Sequence, residues 1–416
     1  MRSVIWLVLL FVVAVVAATT LGSNDGLVTL YWSGWRTDLS LNLFVILLLG
    51  SCFVIVFAAQ AVNSLVSLPR RAEEWRALRK ERAAQACLRE ALAESYAARY
   101  GRAHKAAQKA LAIQADAPGL APDTEFRLLG QLLVAGSLHH MQDRPRRDDA
   151  LKQALKAARS GVGPRPADEA VRMMAAEWAL DDRDATRALE FLAELPPGAA
   201  RRTHALRLKL QACRMAQQPL EALHTARLLA NHQAFSPLVA QTLLRSLACE
   251  TLEGTHDLQQ LRRLWSQFDS ADRRDAQVAA RAAVRAAHLG SYEDARVWLR
   301  PFWDRLSELS RDDREQVALA FIAAAPGMGG DWLPRLESAL VAYGQEPAVV
   351  AAVGSAYAQR QLWGQARRLL EQAAAAATLP PRARRAAWRQ LAALARQESN
   401  EPRAAMCERA AAEVDP

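Results

Sequence analysis

Lysine is nearly missing from this 416-residue chain. Lys80, Lys105, Lys109, Lys152, Lys156 and Lys209 are six among 53 basic residues, so arginine carries most of the positive charge behind the formal +9 at pH 7. Abundant arginine and alanine match the codon usage of a GC-rich genome. The charge is spread along the chain, without a dense patch or an aromatic stacking module, so no nucleic-acid partner is expected. Cysteine is also sparse: Cys52, Cys87, Cys213, Cys249 and Cys407 are odd in number and far apart. They form no Cys-x-x-Cys pair, which excludes a disulfide framework, a zinc site and covalent haem attachment. Scattered free thiols suit the reducing cytoplasm.

Motifs that seat nucleotides or build nucleophiles are missing as well. Gly327-Met328-Gly329-Gly330 is the nearest approach to Gly-x-Gly-x-x-Gly, but it lacks the third spacing and its surroundings are helical. No phosphate-binding loop, nucleophile elbow or His-Glu-x-x-His occurs. The acidic doublets Asp148-Asp149, Asp181-Asp182 and Asp312-Asp313 stand at predicted helix ends, where carboxylates satisfy free amides and the helix dipole. The expectation is a protein that is not an enzyme, with no metal site and no resident cofactor.

Long apolar runs are confined to the first 70 residues. Val4–Leu21 is an 18-residue stretch without a charge, and Leu43–Val62 is a 20-residue one. At about 1.5 Å per residue, each covers a hydrocarbon core of about 30 Å. Arg2 and the small residues Ala17-Ala18-Thr19 give the first run some features of a signal peptide, but its length and the second run behind it favour an uncleaved helix. Between the runs, Leu27–Trp32 followed by Ser33-Gly34 reads as a short β-hairpin, with Trp32 and Trp35 suited to a headgroup interface.

Arg36 is the one basic residue between the runs, whereas Arg70, Arg71, Arg76, Arg79, Lys80 and Arg82 follow the second. The positive-inside rule then places both termini in the cytoplasm and the hairpin in the periplasm of a multi-pass inner-membrane protein. The predicted division is a membrane anchor at 1–66 with spans at about 4–21 and 43–62, a basic juxtamembrane helix at 67–90, and a soluble body at 91–416.

From Ala72 onward there is almost no strand signal. Apolar residues recur at helical spacing, and the breaks are short: Ala117-Pro118, Gly161-Val162-Gly163-Pro164, Pro196-Pro197-Gly198, Pro380-Pro381. Helices of about 12 to 18 residues with such connections form antiparallel pairs. Residues 353–375, VGSAYAQRQLWGQARRLLEQAAA, fit the 34-residue tetratricopeptide pattern through Gly354, Tyr357, Trp363, Ala366 and Ala373. Gly290, Tyr292, Ala295 and Leu299 make a second copy, and Tyr100, Ala103, Ala107 and Ala110 a third. The fold class is therefore all-α: two N-terminal transmembrane helices, then a tetratricopeptide-like α-solenoid in which small residues let helices approach and aromatics fill the hollows.

This combination of two spans around a hairpin, a basic helix, Tyr-Gly-x-Ala at Tyr100–Ala103, the run LRRLWSQFDSADRRDAQVAARAAVRAAHLGSYEDAR and the terminal repeat resembles the proteobacterial HemY proteins. The likeness covers nearly the whole chain and is most specific from Leu261 to Arg296. It implies an inner-membrane tetratricopeptide protein associated with haem biosynthesis. The flavin-dependent protoporphyrinogen oxidase that shares the label is unrelated, and the chain does not resemble it.

A membrane-anchored scaffold follows, binding protein partners, haem-biosynthesis enzymes among them, in a concave groove where His288, Ser355 and Gln359 would face outward. An alternative is a haem- or porphyrin-binding or transfer protein, for which His139 and His140 are the ligand candidates beside Met141. Another is a membrane scaffold for envelope assembly.

Overall fold

The computed structural model describes residues 13, 26–116, 123–159 and 166–414. The first apolar run lies outside them apart from Val13, as do the proline-containing breaks at 117–122 and 160–165. The chain divides into two compact units, Met1–Gln153 and Ala154–Pro416.

In the first unit, β1 (Leu27–Trp32) and β2 (Trp35–Ser40) pair antiparallel, from Leu27 opposite Ser40 to Trp32 opposite Trp35. The two turn residues, Ser33 and Gly34, both have positive φ, 48° and 91°, as a twisted two-residue hairpin turn requires. Ser40 Oγ then accepts from Leu43 N at 3.4 Å, and Leu41 N donates to Gly26 O at 2.9 Å. The hairpin therefore passes straight into helix α1, Leu41–Tyr96, without a linker.

Helix α1 has 56 residues, or about 84 Å of length. Its Leu41–Val62 portion is long and apolar enough to cross a membrane, with a mean hydropathy of 2.7 and none of it buried. The helix continues through Pro69, which removes one backbone hydrogen bond without ending it. Where the sequence suggests divisions after 66 and after 90, the backbone stays helical.

Farther along, α1 becomes a packing helix. Ala84, Cys87 and Ala91 contribute to two small cores with Ala106, Ala107 and Ala110 of α2 (Tyr100–Ala115) and Phe126, Val134 and Leu138 of α3 (Thr124–His140). Alanine at these faces lets the backbones come close. At Gly130 on α3 even a methyl group would lie 2.7 Å from Leu111 Cδ2. Lys80 Nζ ties α1 to the end of α2, donating to the Asp116 carboxylate at 2.8 Å and its carbonyl at 2.7 Å. The next helix, α4 (Arg144–Arg159), crosses the division between the units.

Beyond it the chain is a succession of helix pairs. They are α5 (Pro166–Asp181) with α6 (Ala185–Ala193) and, after the single turn α7 (Pro197–Ala200), α8 (Thr203–Met215) with α9 (Pro219–Asn231). Next come α10 (Pro237–Glu253) with α11 (Leu258–Gln267) and, after the turn α12 (Ser270–Arg273), α13 (Ala276–His288) with α14 (Tyr292–Trp303). The last three are α15 (Arg311–Ala324) with α16 (Leu333–Tyr343), α17 (Pro347–Gln359) with α18 (Trp363–Ala375), and α19 (Pro381–Gln397) with α20 (Glu401–Glu413). The first helix of each pair from α10 onward also touches the first helix of the next. One apolar cluster consequently runs from Leu206 to Cys407.

Helix α17 shows how tight this packing is. All ten residues from Ala348 to Tyr357 are buried, as befits a helix that is apolar on every side. A methyl group at Gly354 would come within 3.1–3.2 Å of Leu370 and Leu369 on α18. Ala366 and Ala373 have no exposed surface, and Trp363 packs against the core from the start of α18.

Seven of the turns between successive helices share one backbone form. Ala98, Gln142, Arg183, Gln217, Gly290, Gln361 and Ser399 all have φ between 55° and 83°. In each case the following amide reaches back to a carbonyl five residues earlier, as Ser291 N does to Ala286 O at 2.9 Å and Leu362 N to Tyr357 O at 3.0 Å. This is the capping geometry in which a left-handed residue closes a helix. Gly290, expected as a small packing residue, is therefore corrected to a turn residue: a methyl group there would meet nothing within 4 Å, and its counterpart is Gln361. Tyr292, expected to pack, is 37% exposed, whereas Ala295 is fully buried.

Arginine has a use that composition did not reveal. Arg245 grips Asp275 with Nε and Nη2 at 2.8–3.1 Å, Arg314 grips Glu346 at 2.7–3.2 Å, Arg262 reaches Asp294 at 2.8 Å and Arg335 reaches Asp304 at 2.6 Å. Arg367 with Glu398 and Arg403 with Glu371 extend the series. Each pair joins residues 30 to 32 apart, about one repeat. Asp275 also caps α13, accepting from Gln277 N and Val278 N at 3.0 and 3.2 Å, so one carboxylate starts a helix and clamps it to the previous pair.

Replacing Ala366 by Leu forces an isobutyl group into a site with no free surface, and should lower stability by about 1–3 kcal/mol. Thermal or chemical unfolding of the full chain in detergent checks this; an unchanged midpoint would contradict the packing described.

Candidate functional site

His139 and His140 are the last two residues of α3, and their rings diverge, with centroids 5.6 Å apart and planes at 70°. His139 Nδ1 lies 3.2 Å from Nη1 of Arg147. A guanidinium can only donate, so Nδ1 accepts and a neutral His139 carries its proton on Nε2. In that tautomer neither ring nitrogen has a lone pair free for iron. Arg147 is itself buried and bound to Asp148 through Nε at 3.0 Å and Nη2 at 2.8 Å. His140, more exposed, stacks on Tyr100 at the start of α2, with centroids 4.3 Å apart and planes at 20°. The expected packing residue Tyr100 thus works through a histidine of α3, and its neighbour Ala103 is fully buried.

A third histidine sits at the same junction. Burial, followed by the positive charge of Arg146, pushes His104 on α2 below the ordinary imidazole value, against smaller opposing effects from the Val134 backbone and Asp143. Its Nδ1 has no hydrogen-bond partner among the described residues.

Beside these rings opens a recess of about 480 Å³ lined by Arg99, Arg102 and Lys105 with Tyr100, Gly101 and Met141. The first turn of α2 contains no acidic residue, and Arg99 at its N-cap supplies no side-chain cap. Three cations and the positive end of a helix favour carboxylate or phosphate groups. Glu94 partly offsets them, 3.5 Å from Arg99 Nε.

The outward residues expected on the repeats divide differently. His288 closes α13 and Gln359 closes α17, both exposed. Ser355, expected to face a groove, is instead 2% exposed and donates to Gln390 Oε1 of α19 at 2.9 Å. It is a packing residue, because the side of α17 that carries it is covered by the following pair. Among the described residues no group of three or more His, Cys, Asp or Glu could hold a metal ion. The sequence held one missed signal: Arg99, Arg102 and Lys105 stand three residues apart, on one side of the start of α2.

Residues 26–122, which include the hairpin, α1 and α2, match the family model described as HemY protein N-terminus. The chain carries a HemY N-terminal region. Its cationic recess is built mainly from that region, with Met141 beyond it. No curated protein matches the sequence. Similar solved structures include the APC/C hetero-tetramer Cut9-Hcn1, at 14% identity over 78% of this chain and 65% of that one, with a TM-score of 0.29. Naa15/Naa10 bound to HypK-THB shares 11% identity over 78% and 57%, with a TM-score of 0.22. The P58(IPK) TPR domain shares 16% over 76% and 89%, with a TM-score of 0.20. The chain spans less than two thirds of the first two, and the repeat architecture rests on the helix pairs themselves.

Because the folded protein holds His104 below its ordinary value of 6.5, it binds that proton less readily than the unfolded chain. The contribution to stability is present above that value and lost as pH falls through it. The unfolding midpoint of the full chain should therefore drop between about pH 7.5 and 5.5, and His104→Gln should flatten the dependence. An identical pH profile for the variant would contradict the assignment.

Proposed function

We propose that this chain is a non-enzymatic scaffold, held in the bacterial inner membrane, that gathers proteins of haem biosynthesis on its repeat surface. The observation that carries the proposal is helix α1, in which an apolar span and the first packing helix of the repeats are one element. A repeat array offers extended surface to protein partners rather than an enclosed chamber for a small substrate. The basic stretch from Arg76 to Arg82 supports a cytoplasmic position for the repeats by the positive-inside rule. The tie to haem comes from the HemY likeness. The cationic recess suits an acidic segment of the partner. With a photo-reactive residue in place of Lys105 or Gln359 in cells, crosslinking should recover a tetrapyrrole-pathway protein, and Arg102→Glu should reduce its yield through position 105. Recovery of envelope-assembly proteins instead, or of no pathway member, would sink the assignment.

A second reading, direct haem or porphyrin binding, is favoured by one feature: the recess sets the Met141 thioether beside three cations that could receive carboxylates, with His140 adjoining. The tautomer of His139 shifts the ligand candidates to His140 and Met141. Haem titrated into the full chain should then shift the Soret band, and the shift should be lost in Met141→Ala with His140→Ala. The same spectrum with and without protein ends this reading.

A further inference from the structure

The hairpin ahead of α1 has two unlike faces. Side chains alternate along a strand, so Val28, Leu30 and Trp32 share one face with Leu39, Thr37 and Trp35, opposite Thr29, Tyr31, Arg36 and Asp38. Both charges lie on the second face, where Arg36 Nε meets Asp38 Oδ1 at 3.2 Å. The first face has no charge, and its tip is bare: Trp32 is 83% and Trp35 80% exposed. A two-stranded sheet alone is marginally stable in water, and this one presents two indoles to it.

We propose that this face is a membrane-docking surface, lying in the headgroup–acyl interface of the leaflet at the N-terminal end of α1. The proposal rests on the reading of Leu41–Val62 as a span. Continuity identifies the occupant. Ser40 caps α1 and Gly26 O receives Leu41 N, so the root of the hairpin is fixed where the apolar helix begins, and exposed Leu43, Ile46 and Leu47 follow at once. If those residues are in hydrocarbon, the root of the hairpin lies at the interface, with no linker between it and the span. Indole rings have an apolar body and one N–H donor and favour this depth. The face has no side chain to pair with a charged headgroup, so the acyl boundary and not a particular lipid is what it fits. An amphipathic element laid flat in this way anchors a protein without crossing the bilayer, and here it would set how α1 leaves the membrane.

The test uses the full chain reconstituted in phosphatidylethanolamine–phosphatidylglycerol vesicles, with a diazirine amino acid replacing one residue at a time. Leu30, Trp32 and Trp35 report one face, Thr29, Tyr31 and Arg36 the other, and Phe53 on α1 the span. Lipid adducts should form at Phe53 and, several-fold above the charged face, at Leu30, Trp32 and Trp35. If Phe53 gives none, the span fails and the proposal falls with it. If Phe53 gives lipid adducts while the two hairpin faces react alike, the docking surface alone is overturned. Adducts from Trp32 or Trp35 to a second copy of the chain or to residues 4–21 overturn it too, because the face is then covered by protein.

Discussion

A single helix combines two kinds of surface. Along Leu41–Val62 it is long and apolar enough to cross a membrane, with backbone bonds that close within the helix, as a lipid-facing segment requires. Farther on, the same helix presents Ala84, Cys87 and Ala91 to neighbours that need small residues to come close. Between these ends Trp75 is exposed and receives Arg79 over its ring at 5.4 Å. The hairpin before it and the repeats after it both take their place from this element, the first through Ser40 and Gly26, the second through alanine contacts and the Lys80–Asp116 tie.

Alanine-rich helices approach closely but bury little apolar surface per residue, so register between pairs needs another source. Two devices supply it. Left-handed turn residues, closed by an amide reaching back five positions, fix the angle inside most pairs. Arginine–carboxylate clamps about one repeat apart fix successive pairs from α10 onward. Arg314 also lies 4.5 Å over the ring of Tyr343 while it holds Glu346. Forked clamps such as Arg245–Asp275 and Arg314–Glu346 add geometric specificity as well as energy, which lysine, a point donor on a flexible stem, would not reproduce.

Much of this was legible from local pattern. Alternation with Ser33-Gly34 announced the hairpin, an uncharged run announced the apolar part of α1, and Trp363, Ala366 and Ala373 announced a close helix pair. What stayed hidden depends on partners distant in sequence. Ser355 looks like a groove residue until α19, some 35 positions on, covers it and supplies Gln390. Gly290 and Gly354 are alike as letters, yet one serves a positive φ and the other a contact with Leu369 and Leu370. The divisions expected after 66 and after 90 fall inside one helix, which continues through both. The His139–Arg147–Asp148 chain and the Tyr100–His140 stack likewise arise only when helices meet. Of the candidate site, therefore, the sequence named the histidines but neither their tautomer nor the cations beside them.

On the reading proposed above the protein presents a surface to partners, and that reading depends on the first packing helix being one unbroken element with the apolar segment. Spin labels at Val56 and Arg89, one on each side of Pro69, measure that element directly by pulsed dipolar spectroscopy of the full chain in lipid. A continuous helix across 33 residues predicts a narrow distribution near about 50 Å. A broad distribution centred far below that distance would contradict the account.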